Sequence, residues 1–191
     1  MKDAIGFTME ARQTSWPRAW LMTDERLGDR LWEALDKLPE GAGGIVFRHY
    51  SLNEGERLAL GEKVASVARE RGLTLAVAGS QRLAAQLNAR LVHNPDSAGP
   101  LPLSRSVHDE GEAMAARNAA ASLAFISPMF STRSHPDRSA LGVDRALALA
   151  EISGCPAIAL GGLNAERFEA LRDGFHGWAA IDAWLRGPSR E

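Results

Sequence analysis

Arg133 and His135 belong to Ser127-Pro128-Met129-Phe130-Ser131-Thr132-Arg133-Ser134-His135-Pro136, a small, polar and cationic stretch that ends an apolar run. Cationic and hydrogen-bonding side chains in such a stretch suit a phosphate or pyrophosphate. Further along, Ala157-Ile158-Ala159-Leu160 ends in Gly161-Gly162. Glycine lets backbone approach an anion closely, and the start of a following helix presents unpaired N–H groups. Ser127 and Thr132 add hydroxyls, and the N–H groups of Ile181 and Asp182, after the last apolar run, complete a candidate phosphate cup. Arg48 also follows an apolar run, and an arginine can grip an oxyanion with two parallel hydrogen bonds.

His49, His93, His108 and His135 each fall where an apolar run ends. His135 can act as an acid or base, because an imidazole titrates near neutral pH. The candidate catalytic set is therefore His135, His108, Arg48 and Arg133. Four imidazoles invite a zinc reading, but acidic or cysteine ligands at tight spacing are missing, so no metal is assigned. No Gly-x-Ser-x-Gly motif provides a serine nucleophile.

Short apolar runs alternating with helical patterns must position these groups. The predicted strands are Ala19–Met22, Gly44–Phe47, Leu73–Val77, Ala89–Val92, Leu101–Ser104, Leu123–Ile126, Ala157–Leu160 and Trp178–Ile181. Asn53 with Glu56 forms a capping-box signature before a helix with Leu60, Val64, Val67 and Ala68 on its buried face. Asp109 with Glu112 repeats the signature, a third helix follows Gly142, and Asn164 caps a fourth that carries Phe168 and Leu171. Strands alternating with helices imply a parallel sheet with right-handed crossovers. Eight of them close into a compact (βα)8 TIM barrel, an α/β fold. At 191 residues the chain is shorter than the ~250 typical of that fold. Some helices must then be brief or missing, and Asn94 to Pro100 is such a place. An open doubly wound sheet competes, but its glycine-rich turn after the first strand is replaced by Thr23-Asp24-Glu25. Residues 1–18 are read as a polar tail and 19–191 as one barrel domain. The tryptophans, gathered at the two ends of the chain, are expected to pack across the closing seam.

A formal charge of −2 argues against a nucleic-acid partner. The one cysteine, Cys155, cannot form an internal disulfide, and no long apolar stretch marks a signal or a membrane span. A cytoplasmic protein with no membrane partner is the expectation, and its oligomeric state is left open.

From about Trp20 to Trp184 the chain resembles the thiamine-phosphate synthases and their thiazole-tautomerase relatives. Leu21-Met22-Thr23-Asp24 looks like the opening strand and Gly44-Ile45-Val46-Phe47-Arg48 like the second. Ser106-Val107-His108 with Glu112 is similar to the Ser-x-His segment of the fifth loop. Ser127 to Thr132 matches the loop after strand six, Gly161-Gly162 the loop after strand seven, and Gly177 to Ala183 the last strand and its turn. The resemblance implies an enzyme that joins a hydroxymethylpyrimidine diphosphate to a thiazole phosphate, with magnesium and cationic side chains neutralising the pyrophosphate that leaves.

The departures are selective. Where the family's second strand ends Gln-x-Arg-x-Lys, this chain has Val46, Arg48 and Tyr50. Where the third ends Asn-Asp-Arg, it has Ala78-Gly79-Ser80. His93 survives after the fourth, but Ala98 stands at the metal aspartate and His135 replaces the sixth-loop lysine. The thiazole-phosphate side is kept and the pyrophosphate and magnesium side is degenerate, so no cofactor is assigned, magnesium included. The tautomerase branch is implied to use a sixth-strand histidine, whose place here is Ser127 or its neighbour. The expected protein is thus a thiamine-phosphate synthase-like transferase of thiamine biosynthesis with impaired synthase activity. It would bind a phosphorylated small-molecule heterocycle at the C-terminal face of the barrel. A tautomerase-like isomerase and a non-catalytic or regulatory phosphate-ligand binder are the alternatives.

Overall fold

The structure, a computed structural model, describes residues 16–131 and 139–185. Eight strands run β1 (Ala19–Met22), β2 (Gly43–Phe47), β3 (Thr74–Ala78), β4 (Leu91–His93), β5 (Leu103–Val107), β6 (Leu123–Ile126), β7 (Ala157–Leu160) and β8 (Gly177–Ala180). Each pairs in parallel with the next, and β8 returns to β1 through Ala19↔Trp178 and Trp20↔Ala179, so the sheet closes. The helices are α1 (Arg30–Asp36), α2 (Glu54–Glu70), α3 (Gln81–Gln86), α4 (Glu110–Asn118), α5 (Val143–Ser153) and α6 (Ala165–Glu169). Short helices economise on length: α3 and α6 are six and five residues, and no helix separates β4 from β5.

Period-two alternation along the strands sorts the core into two layers. Trp20, Met22, Val46, Ala76, Leu91, Leu123, Phe125, Ile158 and Ala179 fill the barrel interior. The alternate strand residues, among them Leu21, Ile45, Leu75 and Val77, pack outward against helix residues such as Leu31, Leu35, Val64 and Ala68. Asn53 and Glu56 form the expected reciprocal capping box of α2. Of its predicted face, Val64 and Ala68 are buried, while Leu60 and Val67 are half-buried. Trp20 occupies space that a side chain at position 44 would need: a Cβ on Gly44 would lie 2.4 Å from its ring.

The seam between β1 and β8 is closed by tryptophan, as expected. Trp184 stacks on Trp178 at 4.8 Å and donates from Nε1 to the Trp20 carbonyl at 3.1 Å. Trp16, just before β1, has its carbonyl bonded to the Nε2 of His176, just before β8, and the Arg90 guanidinium lies over its ring.

Three strands sit further along than expected, β3 by a single residue and β4 and β5 more. β5 begins after Pro102, which has no N–H for the ladder and contributes only its carbonyl to Val92 N–H. β4 accordingly ends on His93, which becomes part of the barrel wall.

Candidate active site

The strand ends gather at one mouth. Thr23 and Asp24 follow β1, Arg48 and His49 follow β2, and His93 and Asn94 end β4. Ser106 and His108 end β5, Ser127 follows β6, Gly161 and Gly162 follow β7, and Ile181 and Asp182 follow β8. Thr132, Arg133 and His135 lie outside the described residues.

Arg48 is neither a surface side chain nor loosely held. Its Nε donates to the Thr23 carbonyl at 2.6 Å and its Nη2 to Asp24 Oδ2 at 3.0 Å, while its backbone N–H donates to Thr23 Oγ1 at 2.9 Å. Asp24 also accepts from Arg26 Nε, Nη2 and backbone N–H. Burial pushes the Asp24 carboxyl upward, but the Arg26 hydrogen bonds and the Arg26 and Arg48 charges prevail and hold it below its ordinary value. Arg57, on α2, ties the same corner: its Nη2 donates to the carbonyls of Arg48 and Ala78, joining the ends of β2 and β3.

The three described imidazoles, His49, His93 and His108, do not converge. His49 turns back into the wall in a left-handed conformation (φ 34), against Phe47 and within 3.1 Å of Thr23 Oγ1. His93, expected at the end of the fourth strand, is 1% exposed and edge-on to Phe125. Its burial holds the imidazole at a pKa of about 3, so it is neutral and no proton carrier near neutral pH. It lies in a polar cluster: Nδ1 is 3.0 Å from Ser104 Oγ, and Nε2 is 3.2 Å from Ser106 Oγ. Asn94, left-handed at φ 45, accepts from Ser106 N–H and donates to Ser106 Oγ. His108 alone of the described three stays partly open at the mouth. Its Nδ1 and its backbone N–H both meet Glu112 Oε2 at 2.7 Å, while Asp109 caps the same helix turn.

Gly161 and Gly162 are shaped by the β6 loop. Both have positive φ (107 and 67), and a Cβ on them would lie 3.0 Å from Pro128 Cα and 2.9 Å from Phe130 Cβ. Leu160 and Gly161 carbonyls accept from Met129 and Phe130 N–H, so the two loops are laced together beside the cis Ser127-Pro128 peptide. Neither glycine N–H bonds to another described residue. The expected helix start is displaced: Asn164 intervenes and caps α6 by accepting Arg167 N–H, so the glycines themselves, not the helix end, offer the N–H groups. Ser127 is buried, its N–H bonded to the Val107 carbonyl. Ile181 packs on the core, and Asp182 is exposed, opens a 3-10 turn and exerts its charge on Arg26.

The donor set does not fit magnesium, which binds through hard oxygen ligands in strict octahedral geometry. Gly79 has no side chain, Ala98 offers a methyl group, and Asp24 is saturated by two arginines. Asp96 is exposed and paired with Ser97 Oγ. Among the described residues no three acidic, histidine or cysteine side chains come together as a metal site.

Sequence reasoning missed Thr23, Arg57, Asn94 and Ser104. Ser104 and Ser106 had a readable signal, two hydroxyls at strand period on either side of Arg105.

A family model for thiamine monophosphate synthase matches residues 20–184. A putative thiamine-phosphate synthase 2 from Aquifex aeolicus is 26% identical over 182 residues, covering 88% of this chain and 98% of the relative. A thiamine-phosphate synthase from Haloarcula marismortui is 29% identical over 162 residues, covering 76% and 77%. The solved thiamine phosphate pyrophosphorylase from Pyrococcus furiosus superposes with a TM-score of 0.73 at 24% identity, covering 87% and 86%, a likeness of fold.

Proposed function

The chain belongs to the thiamine monophosphate synthase family, and on that premise we propose that it binds a thiazole phosphate at the C-terminal mouth and is a weak, magnesium-independent member of that transferase family. The observation that carries the reading is Gly161-Gly162, two left-handed glycines pinned against Pro128 and Phe130 with their N–H groups unclaimed by other described residues. Backbone N–H groups held in place are suited to a phosphoryl group and cost no reorganisation on binding. On the opposite side, Arg48 is a fixed cation for negative charge that develops on a leaving group. Gly79 and Ala98 leave it without the carboxylates that would assemble a metal. In a synthase reaction Arg48 would stabilise the departing pyrophosphate, and the barrel wall around it would exclude water from the pyrimidine cation. Thr132, Arg133 and His135 are proposed to supply a hydroxyl, a cation and an imidazole to the ligand, as their residue types suit.

Calorimetric titration of the purified chain with thiazole phosphate tests the binding, and turnover with the pyrimidine diphosphate tests the transferase. No thiazole phosphate binding at millimolar concentration would remove the reading.

His108 favours a second reading as a tautomerase-like isomerase. Glu112 holds its Nδ1 side, leaving Nε2 as the atom able to exchange a proton with a ligand, the orientation that a general base requires.

A further inference from the structure

Arg48 stands one residue past the end of β2, yet both of its backbone polar groups are bonded. Thr23 N–H, just past β1, still reaches the Val46 carbonyl at 2.9 Å. The Arg48 N–H then meets the Thr23 hydroxyl in place of a strand carbonyl. For the Arg48 carbonyl the sheet has no donor. The register of β2 with β3 ends at Phe47↔Val77, and beyond it the N–H groups turn elsewhere. Gly79 N–H goes to the His93 carbonyl at 2.8 Å, and Ser80 N–H to the Ala78 carbonyl at 3.0 Å. Arg57 spans this gap from the start of α2. Its Nη2 alone donates to both carbonyls, to Arg48 at 2.8 Å and to Ala78 at 2.7 Å. The guanidinium lies over the rings of Phe47 and Tyr50, at 5.9 and 5.5 Å. Its Nε is buried and has no partner. A buried donor left unbonded is rare and carries a penalty, so the side chain is placed for its tip.

The other end of Arg48 is held as well, by Nε on the Thr23 carbonyl and Nη2 on Asp24, which leaves Nη1 without a partner among the described residues. Arg48 continues the Val46 side of β2, the side that lines the barrel interior. Its charge acts on His93 in the wall of β4. We propose that Arg57 is a positioning residue for Arg48. By holding the Arg48 carbonyl where the sheet supplies no donor, it fixes the backbone from which the guanidinium reaches Thr23 and Asp24. It thereby sets the direction in which Nη1 meets an oxyanion. The proposal rests on the Arg48 role stated above for the identity of that oxyanion, a pyrophosphate group, though not for the geometry.

The first test needs no ligand. In ¹⁵N NMR of the parent, the Arg48 Nε–H should give a resolved, slowly exchanging guanidinium signal. Arg57→Met keeps an apolar stem against Phe47 and Tyr50 and removes the donor. Exchange of the Arg48 Nε–H should then quicken by about tenfold or more, the worth of one hydrogen bond to a charged group. Arg57→Lys should exchange like the parent, because one ammonium nitrogen can serve both carbonyls as Nη2 does. Arg57→Gln, too short to reach them, replaces Arg57→Met if that protein does not fold. Arg71→Met is the control for stability alone. Arg71 also donates to two carbonyls, those of Leu35 and Leu38, at the far end of the barrel. It should lower Tm and leave the Arg48 signal unchanged. Parent-like exchange in Arg57→Met, or equal acceleration in Arg71→Met, would overturn the proposal whatever the protein binds. The second test is affinity for inorganic pyrophosphate by calorimetry. Arg57→Met should weaken it about tenfold, since small misplacements of a binding group are costly, and Arg57→Lys should restore it. Arg48→Met with Arg57→Met should lose no more than Arg48→Met alone. Additive losses would overturn the ligand half. A parent that binds no pyrophosphate removes the Arg48 role and the ligand half with it, while the exchange result still decides the positioning.

Discussion

Arg48, at the end of the second strand, reaches back to Asp24 at the end of the first, Nη2 to Oδ2 at 3.0 Å. Both side chains are about four-fifths shielded from solvent, at 19% and 21% exposure. A guanidinium held on one carboxylate and one carbonyl keeps its remaining N–H groups pointed in a fixed direction. That makes it a preorganised partner for an oxyanion, at the cost of sharing its charge with Asp24.

The first prediction concerns pH. The folded-state pKa of Asp24 is held below its ordinary value of 3.8, so the pair contributes stability above that value. The contribution is lost as pH falls through the folded pKa. Asp24→Asn should therefore lower Tm at pH 7 and close the gap with the parent below pH 3.8. Because the pair is partly solvated, the cost at pH 7 should be about 1 kcal/mol or less. Thermal melts of both proteins from pH 2 to 8 check it. A gap that widens in acid would show that another group carries the acid sensitivity.

Gly162→Ala should damage both fold and site. At φ 67 an alanine costs roughly 1–2 kcal/mol, and its Cβ would press on Phe130 Cβ at 2.9 Å. The loop that faces the β6 connection would shift, and thiazole phosphate affinity should fall by about tenfold or more. Calorimetry at a temperature well below Tm separates the two losses. Undiminished affinity would mean that the phosphate sits elsewhere in the mouth.

Most of the barrel was legible because its rules are local. Apolar runs and capping residues are set by neighbours along the chain, and Asn53 with Glu56 shows it. β5 was misplaced because Pro102 sits inside an apolar run whose ladder cannot start until the proline has passed. The site was less legible. That Arg48 meets Asp24, or that Arg57 binds the carbonyls of two strands, depends on closure of the barrel, which no local pattern encodes. His93 was expected to follow the fourth strand, just beyond Val92. Its burial follows from β4 extending to include it, a difference of one residue at a boundary.

The isomerase reading makes its own prediction. His108→Asn should abolish any thiazole phosphate isomerisation, and Glu112→Gln should lower it by about 10²-fold, the low end of a general base's worth. Glu112 accepts both His108 N–H groups, so its substitution also loosens the start of α4. Binding of thiazole phosphate should change little in Glu112→Gln. Isomerisation followed by NMR, beside a binding titration, checks both. Parent-level isomerisation in His108→Asn would assign the proton transfer to another residue.

The last prediction concerns magnesium. In the family that this chain belongs to, the resemblance places carboxylates after the third and fourth strands, and here those positions are Gly79 and Ala98. A Cβ at Gly79 would meet nothing within 4 Å, so the space for a side chain exists but nothing fills it. Asp24 cannot take over without giving up Arg26 and Arg48, whose hydrogen bonds it already accepts. Loss of one charge-stabilising donor costs about 10²–10³ in rate. Synthase turnover should therefore lie at least about a hundredfold below a relative that keeps both carboxylates, and should change less than about twofold between chelator and millimolar magnesium. Gly79→Asp with Ala98→Asp should restore a magnesium dependence, provided that Asp at position 79 tolerates φ 78. Steady-state rates with and without the metal decide it. Robust magnesium-dependent thiamine phosphate formation by the parent chain would mean that Asp96 or Asp24 moves to bind the ion, and would overturn the degenerate-subsite reading.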